Sequence, residues 1–194
     1  MTKFIASHPG VLVRQPIAQA IIDLLPLHCK PLIGSLGLSP ANHPGWMHQQ
    51  DLLNLLRQVE SRREGNPFGM VSIGLRLARV VTDRLSADRS EDVLRHLKTF
   101  YQRAHRFESP MIGWTYQEHA PGLLRMTSNT PYPSDLEYGL LYGLLQHYRS
   151  PNQTFLIEQQ SGLGGVQAYR VHLRMHPLPS LWQAADRHDA YPSL

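Results

Sequence analysis

The sequence predicts an α+β fold in which a helical N-terminal half packs on an antiparallel sheet formed by a C-terminal β-β-α-β-β unit. Two changes of rhythm carry this reading. Up to Arg106 the apolar residues recur at helical spacing, whereas from Ile112 to Arg174 they mostly alternate with polar ones, interrupted by one further helical stretch. No internal repeat or low-complexity linker divides the chain. One ligand-binding domain is therefore expected over residues 1–176. Residues 177–194, dominated by Pro, Asp, His and Ser, are expected to be a surface tail anchored by Trp182.

In the first half, Ile17, Ala20, Ile21, Leu24 and Leu25 share a helical face that starts near Pro16, a residue tolerated in a first turn, and Pro26 bends or ends it. A second apolar stretch runs from Pro31 to Leu38. Asn42-His43-Pro44-Gly45 reads as a turn, and Leu52, Leu53, Leu55, Leu56 and Val59 form the stripe of a helix that stops near Gly65. Asn66-Pro67 supplies an N-cap and a first-turn proline for a core helix carrying Met70, Val71, Ile73, Leu75, Leu77, Val80 and Val81. Ser90-Glu91-Asp92 opens another helix, with acids in the turn the helix dipole favours. Val93, Leu94, Leu97, Phe100, Tyr101 and His105 continue one face of it to about Arg106.

Beyond Ser109-Pro110 the period becomes two. Ile112, Trp114 and Tyr116 alternate with Gly113, Thr115 and Gln117; Pro121-Gly122 turns the chain; Leu124, Met126 and Ser128 alternate back. The prolines of Thr130-Pro131-Tyr132-Pro133 end that hairpin, and Ser134, followed by Asp135 and Glu137, reads as the cap of a helix reaching about Arg149. Thr154 to Gln159 and Val166 to Arg174 form a second hairpin across the Gly-rich turn at 161–165.

A chain of 194 residues is long enough to bury well over half of its unfolded surface, so it needs no covalent staple. The single Cys29 cannot form an internal disulfide, and no apolar stretch is long enough for a signal peptide or a membrane span. A cytoplasmic location is expected. The net charge of +4 comes from scattered Lys and Arg, densest at Arg57, Arg62 and Arg63 and at Arg95, Lys98, Arg103 and Arg106. Without interleaved aromatics or zinc-ligand spacing, these residues do not favour a nucleic-acid partner.

No catalytic signature is present. His105, beside Arg106 and Phe107, has the chemistry to ligate heme iron or a metal, but a histidine near a helix C-terminus also serves simply to complement the dipole. Glu118 and His119 are strand neighbours and point to opposite faces. His172 and His176 belong to no metal-ligand motif, and Gly162-Leu163-Gly164-Gly165 lacks the Lys-Ser/Thr and following helix of a phosphate loop. Cys29 reads as a buried or inert thiol. No metal site is expected.

The aromatic residues point elsewhere. Trp114 and Tyr116 share a strand face, Tyr132 sits in the Pro-Tyr-Pro corner, and Tyr138 and Tyr142 lie one helical turn apart. With His105 they make a candidate ligand-binding set, an apolar pocket with polar tips, for which ordinary helix-on-sheet packing is the alternative.

The order of several of these segments resembles a superfamily that includes the 4-vinyl reductase domain, the heme-nitric oxide-binding domain and the Golgi transport tether subunits. The resemblance is carried by Met70 to Leu75, the Tyr101 to Arg106 helix end, Gly113-Trp114, and the run Thr130-Pro131-Tyr132-Pro133-Ser134-Asp135-Leu136-Glu137-Tyr138-Gly139; it spans roughly Trp46 to Arg174. It implies a ligand cavity between helices and sheet, used by a sensory or regulatory module of bacterial type that signals through a partner protein or a homodimer. The expected ligand is a small hydrophobic or aromatic molecule.

Two departures bear on the cofactor. Heme-binding members carry a Tyr-x-Ser-x-Arg motif that holds the propionates, where this strand offers Met126, Ser128 and Thr130. Some 4-vinyl reductase-like members have a cysteine after Pro-Tyr-Pro, where this chain has Ser134. The resemblance thus admits heme without favouring it. The alternatives to a ligand-binding sensory domain are a heme-based gas sensor using His105, an assembly or scaffold protein, and a small enzyme on a hydrophobic substrate using Tyr116, His119 or Glu118.

Overall fold

A computed structural model of the chain describes residues 2–25, 27–38, 45–61, 69–85, 87–161 and 166–177. The elements in order are β1 (Leu12–Arg14), α1 (Gln15–Asp23), a single 3-10 turn (Leu27–Cys29), α2 (Lys30–Ser35), β2 (Trp46–His48), α3 (Gln49–Ser61), α4 (Gly69–Thr82) and α5 (Ser90–Ala104). They are followed by β3 (His105–Arg106), β4 (Gly113–Ala120), β5 (Leu123–Asn129), α6 (Ser134–Tyr148), β6 (Gln153–Ser161) and β7 (Gln167–Met175). The fold is α+β, and its C-terminal β-β-α-β-β unit forms a four-stranded antiparallel sheet of order β4-β5-β7-β6.

The two hairpins join through their inner strands, β5 and β7, with Met126 opposite Tyr169 and Leu124 opposite Val171. Leu124, Met126 and Ser128 alternate inward along β5 and are fully buried, as a period of two requires when only one face meets the helices. Gly122 makes the β4–β5 turn at φ +73°, and a Cβ there would stand 2.4 Å from the Leu173 carbonyl oxygen. Only glycine meets both conditions.

The helices α4 and α6 lie against each other almost backbone to backbone. A Cβ on Gly74 would fall 2.2 Å from the Leu136 carbonyl oxygen, and one on Gly139 would fall 2.2 Å from that of Val71. Leu77, Leu141, Leu144 and Leu145 then close the core around this crossing. Among the described residues no helix is long and apolar enough to cross a membrane.

Three features differ from the sequence expectation. A second sheet, ordered β2-β1-β3, was not expected, because strands of two or three residues are too short to display an alternation. Secondly, α5 ends at Ala104, and His105 turns extended (φ −125°, ψ 142°) to pair with Val13 of β1. The pattern could not distinguish a last helical residue from a first strand residue, since the imidazole faces the core in both cases. Thirdly, Ser134 caps nothing: Pro133 occupies the N-cap position of α6 without a side-chain bond, and the Ser134 carbonyl accepts from the Tyr169 hydroxyl at 3.0 Å.

Expectations concerning Pro26, Asn42 to Pro44, Arg62 to Pro67, Gly162 to Gly165 and the tail with Trp182 lie outside the described residues.

Candidate ligand-binding site in the interior

Tyr101 and His105 are four residues apart, so a helical start to this segment puts them on one face, and the rings stack with centroids 4.0 Å apart. The Nδ1 of His105 lies 2.7 Å from the Tyr101 carbonyl oxygen and its Nε2 lies 2.9 Å from the Tyr132 hydroxyl. A carbonyl only accepts, so Nδ1 carries the proton and Nε2 accepts from Tyr132. Burial lowers the His105 pKa to about 4, opposed only by the bond to the Tyr101 carbonyl, so the ring is neutral at physiological pH. Burial also pushes the Tyr132 phenol well above its ordinary range, and it remains a donor.

Tyr132 is delivered by the Pro131-Tyr132-Pro133 corner, whose fixed φ values send the chain off the end of β5 and under α5. The backbone N–H of Tyr132 donates to Thr130 Oγ1 at 3.3 Å. On the other side of His105, the Tyr101 hydroxyl donates to Glu108 at 3.1 Å and lies 3.4 Å from Gln49 Nε2.

This pair borders a small, partly open cavity of about 50 Å³ between α1, α4, α5, α6 and the sheet. Ile21, Leu77, Leu97 and Leu140 form its apolar walls and Trp114 closes one side, while His105, Tyr132, Thr130 and Glu137 supply its polar groups. Trp114 is held in place by Tyr169, ring centroid to ring centroid 5.9 Å.

Glu137 is the second centre, and sequence reasoning read it only as a first-turn acid of α6. It is 2 % exposed, yet its carboxylate is fully partnered. The Ser128 and Thr130 hydroxyls donate to Oε1, Lys3 Nζ reaches Oε2 at 2.9 Å, and the Tyr169 hydroxyl lies 3.1 Å from Oε2. The buried charge survives because a cation and three hydroxyls replace its water. Burial, and then the Glu137 charge, raise the Tyr169 phenol far above its usual range. Lys3 also donates to the Thr130 carbonyl, and Phe4 N–H donates to the Pro131 carbonyl, so the N-terminal segment is strapped onto the Pro-Tyr-Pro corner.

The structure divides the aromatic set. Trp114, Tyr132 and His105 meet at the cavity. Tyr116 lies farther along the Trp114 face, where its hydroxyl meets Arg95 and Glu118 under the Arg95 guanidinium. Tyr138 and Tyr142 form a separate cluster with Phe155 on the outer side of α6, with Tyr142 39 % exposed. One helical turn keeps those two tyrosines together, but α6 turns its opposite face to the core. The basic clusters separate as well: Arg95 pairs with Glu118, Arg57 donates to the Phe4 carbonyl, and Arg106 covers the Trp46 ring. Among the described residues no group of His, Cys, Asp or Glu is arranged to hold a metal ion.

The donor set does not suit a heme. Both ring nitrogens of His105 are engaged, and about 50 Å³ is far below the several hundred Å³ usual for a cofactor site. Ser128 and Thr130 are turned to Glu137, whose charge repels the carboxylates they would need to receive. As arranged, these residues do not fit the group.

No protein-family model and no curated protein matches the chain. Solved structures do. The Fe(II) unliganded H-NOX protein from K. algicida is similar at TM-score 0.63 and 11 % identity, covering 86 % of this chain and 100 % of that one. An I5F mutant of the T. tengcongensis H-NOX is similar at TM-score 0.60 and 13 % identity, covering 83 % and 96 %. An oxygen-binding H-NOX domain related to soluble guanylate cyclases, solved as its oxygen complex, is similar at TM-score 0.58 and 12 % identity over 83 % and 92 %. At such identities the likeness establishes a shared fold.

Proposed function

Proceeding from the H-NOX fold, we propose that this chain is a sensory or regulatory domain that binds a small apolar or aromatic molecule in its interior and signals through a partner protein or a second copy of itself. The observation that carries the reading is the neutral His105–Tyr132 pair facing a cavity walled mostly by aliphatic and aromatic side chains, with Thr130 and Glu137 at its polar end. An apolar chamber with a few oriented polar groups is the usual construction of a small-molecule site. The chamber is small. A ligand of more than a few atoms enlarges it by moving Tyr132, which breaks the bond to His105 and transmits occupancy to β3 and the small sheet.

A second reading, a heme-based gas sensor with His105 as the iron ligand, is favoured by one feature. The Nδ1–H bond to the Tyr101 carbonyl is the kind of support that orients an imidazole to ligate through Nε2. It requires Tyr132 to leave and the chamber to open around the group.

Mass spectrometry of whatever co-purifies, with an absorption spectrum before and after heme reconstitution, tests both. A stoichiometric apolar molecule, displaced when Leu97→Trp fills the chamber, supports the first reading. A Soret band lost in His105→Ala supports the second. A protein that retains no molecule, shows no thermal shift with any apolar probe and gives no Soret band after reconstitution overturns both.

A further inference from the structure

On the outer side of the same helices, α1, α5 and the segment following α4 surround an open cleft of about 460 Å³. Arg14, Arg84 and Arg103 all line it, and no carboxylate does. Their side chains form no ion pair among the described residues, in contrast to Arg95 and Arg170, which face Glu118 and Glu158. Arg14 is steadied by the Trp46 ring, 5.6 Å from its guanidinium carbon. Three cations converging on one concavity repel one another and concentrate anions.

The floor of the cleft adds the second observation. Ile17, Phe100 and Ala104 line both this cleft and the interior chamber, so the two adjoin across these side chains. Phe100 is only partly buried and packs on the core from this side.

We infer that the cleft binds the head of an amphipathic anion, a phosphate or carboxylate held by Arg14, Arg84 and Arg103, whose apolar body passes Phe100 towards the interior. This inference rests on the ligand-binding reading above and names the class of ligand and its point of entry. A guanidinium trio suits such oxyanions, because each fork donates two parallel hydrogen bonds.

The test compares 2-naphthyl phosphate, 2-naphthol and inorganic phosphate by calorimetric or fluorescence titration of the full chain and of an Arg84→Gln/Arg103→Gln variant. Both residues are exposed, so the variant is expected to fold, which circular dichroism checks. The expected result is that 2-naphthyl phosphate binds at least about tenfold more tightly than either comparison probe, that salt weakens it, and that the variant loses the advantage while its affinity for 2-naphthol is unchanged. Equal affinity for the two naphthyl probes, or an advantage that survives in the variant, overturns the anion site and leaves the interior reading intact. Inorganic phosphate binding as tightly as naphthyl phosphate overturns the link between cleft and chamber. Failure of all three probes overturns the inference, and the fate of the interior site is then read from the co-purification experiment.

Discussion

The Tyr132 hydroxyl donates to His105 Nε2 at 2.9 Å, while the other ring nitrogen donates to the Tyr101 carbonyl, so both nitrogens of one buried imidazole are occupied by groups from two different segments. The bond joins the Pro-Tyr-Pro corner to the junction of α5 and β3. Tyr132→Phe removes it and leaves Nε2 buried without a donor, at a cost of about 1–3 kcal/mol. Urea unfolding is expected to show that loss. If the chamber binds heme or a metal, the same substitution should also increase occupancy, because it frees Nε2.

The His105 ring also sets a pH dependence. Its folded pKa of about 4 lies below the ordinary histidine value of 6.5. The unfolded chain therefore takes up a proton first, so the stability contributed by keeping this ring neutral is complete above about pH 6.5 and is lost as pH falls towards 4. The loss is on the order of 3 kcal/mol. Comparing urea unfolding of the wild type and His105→Gln at pH 7 and pH 4.5 isolates it; parallel losses in the two proteins would assign the effect to other groups.

Glu137 predicts a larger effect. Glu137→Ala strands the Lys3 ammonium and three buried hydroxyls, and about 3–5 kcal/mol of stability is expected to go with it. Lys3→Met leaves the three hydroxyls on the carboxylate but removes the one cation paired with it among the described residues. Because Lys3 is 20 % exposed, water can reach the site, and a smaller loss of about 1–2 kcal/mol is expected. Hydrogen exchange should localise the second loss to the N-terminal segment and the end of β5.

The contact between α4 and α6 is tested at glycine. Gly74→Ala drives a methyl group into the Leu136 backbone, so a loss of 3 kcal/mol or more, or failure to fold, is expected. Gly34→Ala, in α2 with nothing within 4 Å of the added carbon, should be neutral or stabilise by up to about 1 kcal/mol through reduced chain entropy. Thermal melts of the two variants make the comparison directly.

The legible part of this protein was its local periodicity. The helical stripes of α1, α3, α4 and α5, the hairpins on either side of α6, and the α+β class follow from spacing alone, because amphipathic helices and one-sided strands must repeat their apolar residues at 3.6 and 2.0. His105, Tyr132 and Trp114 were also recognisable as candidates, since each stands where a periodic segment meets a turn. The rest required the fold. Lys3 and Glu137 are 134 positions apart, and Ser128 and Tyr169 belong to different hairpins, so nothing local marks them as one cluster. Likewise Arg14, Arg84 and Arg103 read as scattered surface charge until α1 and α5 bring them round one cleft. Secondary structure is encoded by neighbours a few residues away, and the sequence determined it; the buried carboxylate, the small chamber and the cationic cleft are products of long-range docking, and only the tertiary structure decided them.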